Sequence, residues 1–240
     1  MNSFSITDTG RVRSSNQDSV FCEENAVGNF PNLFLVADGM GGHKAGDTAS
    51  RMCIDEVVKQ IRDTELITPV GVIEQAVKAA NEAIYKASNS RPELEGMGTT
   101  LVCATVMEGT AYVGNIGDSR MYLFRGGLRQ ITVDHSLVEE MVQSGEIQKD
   151  EMRTHPNKNI ITRALGTDVA VRPDCFEIEV QTGDVLLLCS DGLTNMLEDE
   201  EIANILNEHI SDMKEAGELL VEQANKAGGK DNISVVLVRL

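Results

Sequence analysis

Two apolar runs constrain this chain more than any other feature, because each ends on an aspartate followed by glycine. Phe34-Leu-Val-Ala37 leads into Asp38-Gly39, and Val185-Leu-Leu-Leu-Cys-Ser190 leads into Asp191-Gly192. Runs this short and apolar predict buried strands ending in turns. A fold that buries them carries two carboxylates to the rim of an apolar sheet, where a charge is costly unless something pairs with it. Asp118, in Gly114-Asn-Ile-Gly-Asp-Ser-Arg120, and Asp231, in Gly228-Gly-Lys-Asp-Asn232, occupy comparable places. Asp-Gly is a common turn pair, so any one aspartate can be read as a cap. Four of them, with little basic charge nearby, are better explained by a shared divalent cation.

The ligand types select the ion. Carboxylates and carbonyls without clustered His or Cys suit Mg²⁺ or Mn²⁺. Gly39 lets the backbone approach closely, so its carbonyl is a further candidate ligand. Several carboxylates around one spot usually hold more than one ion, and two ions ~3.5–4 Å apart can generate a hydroxide and clamp a phosphoryl group. Such chemistry needs a cation for the phosphate. Arg13, in Arg11-Val-Arg-Ser-Ser-Asn-Gln-Asp18, is the candidate, since guanidinium meets phosphate in a bidentate fork.

The remaining pattern predicts helices in two blocks, each beside strands. Ala49, Cys53, Val57 and Ile61 recur every four residues, which is an amphipathic helix, and Pro69 suits the first position of a second. Thr99–Met107, Ala111–Ile116, Arg120–Phe124 and Leu128–Thr132 are short strands joined by tight turns, an antiparallel meander. Residues 135–165 lose this regularity and predict a mobile flap or insertion at the sheet edge. Val185–Ser190, helices at about 199–208 and 212–226, and Ile233–Val238 close the chain. Two sheets between two helical layers satisfy this order, although one large sheet with helices on one side would give a similar pattern. With no linker or repeat, residues 1–240 are expected to form a single domain.

Charge and composition exclude several classes. A net charge of −17 argues against a sequence-independent nucleic-acid binder and against docking on anionic lipid. The three Tyr, six Phe and no Trp give little to stack bases on. No apolar run approaches the ~20 residues that cross a bilayer. Five widely spaced cysteines without a Cys-x-x-Cys pair, and an N-terminus without basic and apolar leader regions, predict free thiols and a cytoplasmic location.

Six segments stand in an order that resembles one family. They are Arg13-Ser-Ser-Asn-Gln-Asp18, Val36-Ala-Asp-Gly-Met-Gly-Gly-His43, Met97-Gly-Thr-Thr100, Val113-Gly-Asn-Ile-Gly-Asp-Ser-Arg120, Cys189-Ser-Asp-Gly-Leu193 and Gly229-Lys-Asp-Asn-Ile-Ser234. The chain resembles the metal-dependent Ser/Thr protein phosphatases (the PPM family, protein phosphatase type 2C) in their short bacterial form, over essentially its whole length. The resemblance implies an α+β fold, a four-layer α-β-β-α sandwich of two mostly antiparallel sheets flanked by helix pairs, with a flap at about 137–160. It implies that Asp38 bridges two Mn²⁺ or Mg²⁺ ions, that the Gly39 carbonyl binds one, that Asp191 and Asp231 hold the other, and that Asp18 acts through metal-bound water. Asp118, with Asp191, matches a third ion site. Arg13 would hold substrate phosphate while a metal-bridging hydroxide attacks phosphorus directly. Where longer relatives carry the proposed acid His, this chain has Met40, so His43 is the expected proton donor, with metal-bound water as the alternative. The implied partners are phosphorylated proteins, among them a Ser/Thr kinase, and the expected state is a monomer. A catalytically weak member that binds phosphoprotein as a sensor is the competing reading.

Overall fold

The computed structural model describes residues 1–42 and 45–240. Five strands form one sheet in the order β1 (Asn2–Asp8), β11 (Ile233–Arg239), β10 (Val185–Cys189), β7 (Arg120–Phe124) and β8 (Leu128–Gln130). The second sheet runs β2 (Asp18–Glu23), β3 (Leu33–Met40), β5 (Leu101–Met107), β6 (Thr110–Ile116) and β9 (Asp174–Glu179), and the short β4 (Gly98–Thr99) adds to the end of β3. Every pairing is antiparallel. Helices α1 (Ala45–Asp63) and α2 (Pro69–Ser90) lie on one side; α4 (Asp191–Thr194), α5 (Asp199–Glu208) and α6 (Met213–Lys226) lie on the other.

Strand alternation decides between one sheet and two. In β3, Leu35 and Ala37 pack with Cys53, Val57 and Val77 of α1 and α2, while Phe34 and Val36 point the other way. In β10, Leu187 and Cys189 meet α5 and α6, while Leu186 and Leu188 join Phe34 and Val36 in a layer shared by the two sheets. Strands apolar on both faces must be covered on both, so the sheets pack face to face and the helices cover the outside. The result is the four-layer α-β-β-α arrangement.

Local chemistry sets the element ends. Thr68 precedes Pro69 at the start of α2. Glu108 and Gly109 both take positive φ, 51° and 77°, and close the β5–β6 hairpin. The acidic stretch Glu198-Asp-Glu-Glu201 is the first turn of α5, with Glu198 and Glu201 forming a capping box. The strand expected over Leu128–Thr132 stops at Gln130, because the Thr132 hydroxyl accepts the Met121 amide (3.1 Å) in place of ladder pairing. The irregular segment after β8 carries α3 (Leu137–Ser144) and a 3-10 turn, Lys149–Thr154, and its two roots are joined by a bridge between Ser136 and Ile161. All five cysteines are free thiols, and among the described residues no helix is long and apolar enough to cross a membrane.

The end of β3 and the start of α1 approach so closely that only glycine fits. A Cβ on Gly39 would lie 2.0 Å from the Gly46 carbonyl oxygen and 2.6 Å from that of Gln17. Relief requires the backbone itself to shift. Gly39→Ala is expected to cost about 1–3 kcal/mol, lowering Tm by roughly 2–10 °C at this chain length, as read by calorimetry. An unchanged Tm would mean that this crossing is looser than described.

Candidate metal centre

The acidic cluster forms where both sheets end on the same side. Asp18 and Asp38 are direct cross-strand partners in the β2–β3 register. Asp191 opens α4 immediately after β10, Asp231 lies just before β11, and Asp118 lies in the turn between β6 and β7. The fold thus delivers carboxylates from five separate chain segments to one place. Like charges directly opposite each other in a sheet are destabilising.

The electrostatics record the crowding. Burial raises the Asp18 carboxyl to about 7, against the partial help of Ser234 and Ser190, with Asp191 and Asp231 adding repulsion. Burial, then Asp18, Asp191, Asp118 and Asp231, pushes Asp38 well above the usual carboxylate range. Asp118 is likewise raised by burial and then by Asp191 and Asp134. Asp191 is raised to about 6 by burial and by Asp231, with partial relief from the neighbouring Asp38 carboxyl and from Arg120.

Three of the carboxylates lean on a side-chain donor. Ser190 Oγ donates to Asp18 Oδ2 (2.8 Å), Asn195 Nδ2 to Asp191 Oδ2 (2.8 Å), and Arg13 Nη2 to Asp231 Oδ2 (2.7 Å). Among the described residues no three acidic, His or Cys side chains lie close enough together to hold one ion as they stand. Yet Asp18 Oδ1 is buried without a hydrogen-bond partner, and buried carboxylate oxygens in that state are rare. An all-oxygen donor set, an orphaned buried oxygen and mutual repulsion fit hard divalent cations, which would neutralise several of these groups at once. Asp18, Asp38, Asp191 and Asp231 are the residues that could hold them, with Asp118 beside Asp191. Arg13 is half exposed at the rim. His43 lies outside the described residues.

Several supporting residues escape a reading of the sequence. The Asp38 backbone is clamped by Thr99 and Thr100. Thr100 Oγ1 accepts the Asp38 amide (3.0 Å), while Thr99 Oγ1 (2.9 Å) and the Thr100 amide (2.9 Å) donate to the Asp38 carbonyl. Asn232 pins the loop that carries Arg13: its Oδ1 accepts the Gln17 amide (2.8 Å), and its Nδ2 donates to the carbonyls of Thr9 (2.9 Å) and Ser15 (3.0 Å). Arg153, in the 3-10 turn of the flap, donates to the carbonyls of Thr194 (2.8 Å) and Leu197 (3.2 Å) and pairs with Glu198, so the flap is fastened to the segment that begins at Asp191. A cavity of about 630 Å³ lies under this strap, with Asp118, Asp191, Met152 and Lys158 in its walls. Thr99, Thr100, Ser190 and Asn232 lie in segments that carry the family resemblance, but nothing local in those segments marks these roles.

Comparison with known proteins identifies the family of the chain. The family model described as protein phosphatase 2C matches residues 9–237. The serine/threonine phosphatase stp of Listeria monocytogenes is 43% identical, over 97% of this chain and 93% of its own. The crystal structure of the Mycobacterium tuberculosis serine/threonine phosphatase PstP/Ppp superposes with a TM-score of 0.89 at 38% identity, covering 100% of this chain and 98% of that one. The catalytic domain of PstP in complex with two manganese ions gives a TM-score of 0.86 at 36% identity, with 98% and 96% covered.

The raised carboxyls make a stability expectation with a definite sign. Asp18 and Asp191 titrate at about 7 and about 6 in the fold, against 3.8 for the free side chain. Their protonated forms suit the folded state, so this contribution is complete below about pH 4 and lost as pH rises through 6–7. Bound cations favour the ionised forms and cancel the loss. The Tm gap between Mn²⁺-loaded and chelated protein should therefore be small at pH 5, widen through pH 6–7 and level off by pH 8. A gap independent of pH would count against the cluster. For the loop, Asn232→Ala should raise KM for a phosphopeptide by about 10-fold or more while kcat changes less, because three part-buried hydrogen bonds that hold the Arg13 loop are lost. An unchanged KM would separate Asn232 from that loop's function.

Proposed function

The chain belongs to the protein phosphatase 2C family, and from that membership and its buried carboxylates we propose a Ser/Thr phosphoprotein phosphatase that depends on divalent metal ions and works by direct hydrolysis. The observation that carries the reading is the gathering of Asp18, Asp38 and Asp191 in one buried place, with Arg13 at its rim. Such a cluster is unfavourable by itself and becomes favourable around cations. The same cations are what phosphoryl transfer needs, because that reaction is mostly positioning and charge stabilisation.

When bound, the ions supply an activated water and neutralise charge on the phosphoryl oxygens. Asp38 and Asp191 would hold them, with Asp231, the Gly39 carbonyl and, through water, Asp18 completing the set. Mn²⁺ or Mg²⁺ suits these ligands, and a further ion would take Asp118 with Asp191. Arg13 exchanges its pairing with Asp231 for the substrate phosphate. Its planar guanidinium grips two phosphoryl oxygens and orients phosphorus for in-line attack. One P–O bond forms to the water oxygen, and the P–O bond to the Ser or Thr oxygen breaks. The leaving oxygen takes a proton, which we assign to His43 or to a water at the site. No covalent phosphoenzyme arises. The physiological counterpart we propose is a Ser/Thr kinase acting in the same cytoplasm.

The test is hydrolysis of a phosphothreonine peptide with Mn²⁺, with chelator, and by Asp38→Asn and Arg13→Ala. Activity should require the ion. Asp38→Asn should lose at least about 10³-fold, in keeping with losing a charged group that stabilises the reacting centre. Arg13→Ala should act mainly through KM. Turnover that survives chelation would overturn the reading, and phosphopeptide binding without turnover under any divalent ion would favour the sensor alternative.

A further inference from the structure

His135 sits at the root of the flap, buried, in contact with the turn that carries Asp118. Its Nδ1 accepts the backbone amide of Gly117 (3.0 Å), and its Nε2 faces Asp174 Oδ2 at 3.1 Å. An amide can only donate, so Nδ1 is unprotonated and the ring proton sits on Nε2, directed at Asp174. Asp174 is in turn held by Arg163 Nη1 (2.6 Å). The backbone of His135 repeats the connection: its amide donates to the Gly117 carbonyl (2.9 Å), and its carbonyl accepts the Thr162 amide from the flap's other root (2.8 Å).

The Gly117–Ser119 turn is thereby held from two sides. On one side Ser119 Oγ meets Thr100 Oγ1 at 2.7 Å, and the same Thr100 hydroxyl takes the Asp38 amide. On the other side stands the imidazole. Gly117 has φ of 100° and lies against Thr100, so the turn has no slack toward the sheet. Asp118 leaves this turn toward Asp191 and Asp38, which it repels.

We propose that His135, with its proton fixed by Asp174, is a positioning residue that sets the Asp118 carboxylate against Asp38 and Asp191 and ties both flap roots to that setting. The inference rests on the metal-dependent phosphatase reading, with Asp118 as an ion ligand. A residue that orients a ligand from behind typically accounts for 10–100-fold in metal affinity or activity.

The test uses His135→Gln, which keeps a polar end toward Asp174 and loses the acceptor for Gly117, and His135→Asn, which keeps the acceptor. Mn²⁺ binding is titrated by electron paramagnetic resonance on both variants, on wild type, on Asp118→Asn and on His135→Gln/Asp118→Asn; phosphopeptide hydrolysis is read alongside. His135→Gln should weaken by about 10-fold or more the class of Mn²⁺ site that Asp118→Asn removes, and leave the other sites unchanged. His135→Asn should largely restore it. In the Asp118→Asn background His135→Gln should cause no further loss, because both changes act through one carboxylate. Losses that multiply in the double variant, or a lowered Tm with all Mn²⁺ sites unchanged, would overturn the role of His135 while leaving the phosphatase reading intact. Wild type that binds no Mn²⁺ would overturn both. If His135→Gln does not fold, Asp174→Asn, which loosens the imidazole from its far side, is read in the same titration with the same expected and opposing outcomes.

Discussion

Repulsion among buried carboxylates is the constraint from which the rest of this structure follows. Asp18 and Asp38 face each other across neighbouring strands, and Asp191 reaches the Asp38 carboxyl from the other sheet. Left alone, these groups would drive the sheet ends apart. They stay because the backbone beneath them is fixed by interactions unrelated to charge: apolar packing on both faces of β3 and β10, the Thr99 and Thr100 clamp on Asp38, and the close passage of Gly39 under Gly46. Stability made in the core is offset at the rim, where it maintains a site primed for cations.

How much of this was legible in the sequence depended on whether a signal was local. Apolar runs ending in Asp-Gly marked β3 and β10 because burial and turn chemistry are written in consecutive residues. Helix α1 was legible from its periodic face and α2 from Pro69 at its start, and α5 and α6 were expected at about 199–208 and 212–226. Harder to read were elements whose identity is set by distant neighbours. Strand β9 alternates Asp, Cys, Phe, Glu, Ile and Glu at a sheet edge and is defined by pairing with β6. The four-residue helix α4 is too short to show a period. Face-to-face packing of the sheets could not be separated from a single sheet, since that depends on which side of each strand meets which layer.

The candidate site divides in the same way. Its aspartates were marked by position at strand ends, and their order with Arg13 identified the family. Their supports were not marked. Asn232, Thr100, Ser190, Asn195 and His135 act through hydrogen bonds spanning from 4 to 223 residues of chain. Neither hydropathy nor composition distinguishes such an Asn or His from one that caps a loop. Their common trait is geometric: each satisfies the backbone or a carboxylate at the one place where the chain has least freedom to move.

Position also resolves the net charge of −17. Residues 174–222 hold fourteen acidic side chains and one basic one, Lys214, yet only Asp191 among them enters the cluster. Others have local structural work: Asp199, Glu200 and Glu201 complement the start of α5, Asp184 pairs with Arg125, and Asp174 orients His135. A phosphorylated substrate must nevertheless approach this negative molecule. The field far from the site opposes it, and at physiological ionic strength that field is screened within about 8 Å. What remains is the local balance, in which Arg13 and bound cations outweigh carboxylates they neutralise. On the proposed reading, recognition of phosphate is confined to the rim of the cluster, and cation loading would be a condition for substrate binding as well as for its hydrolysis.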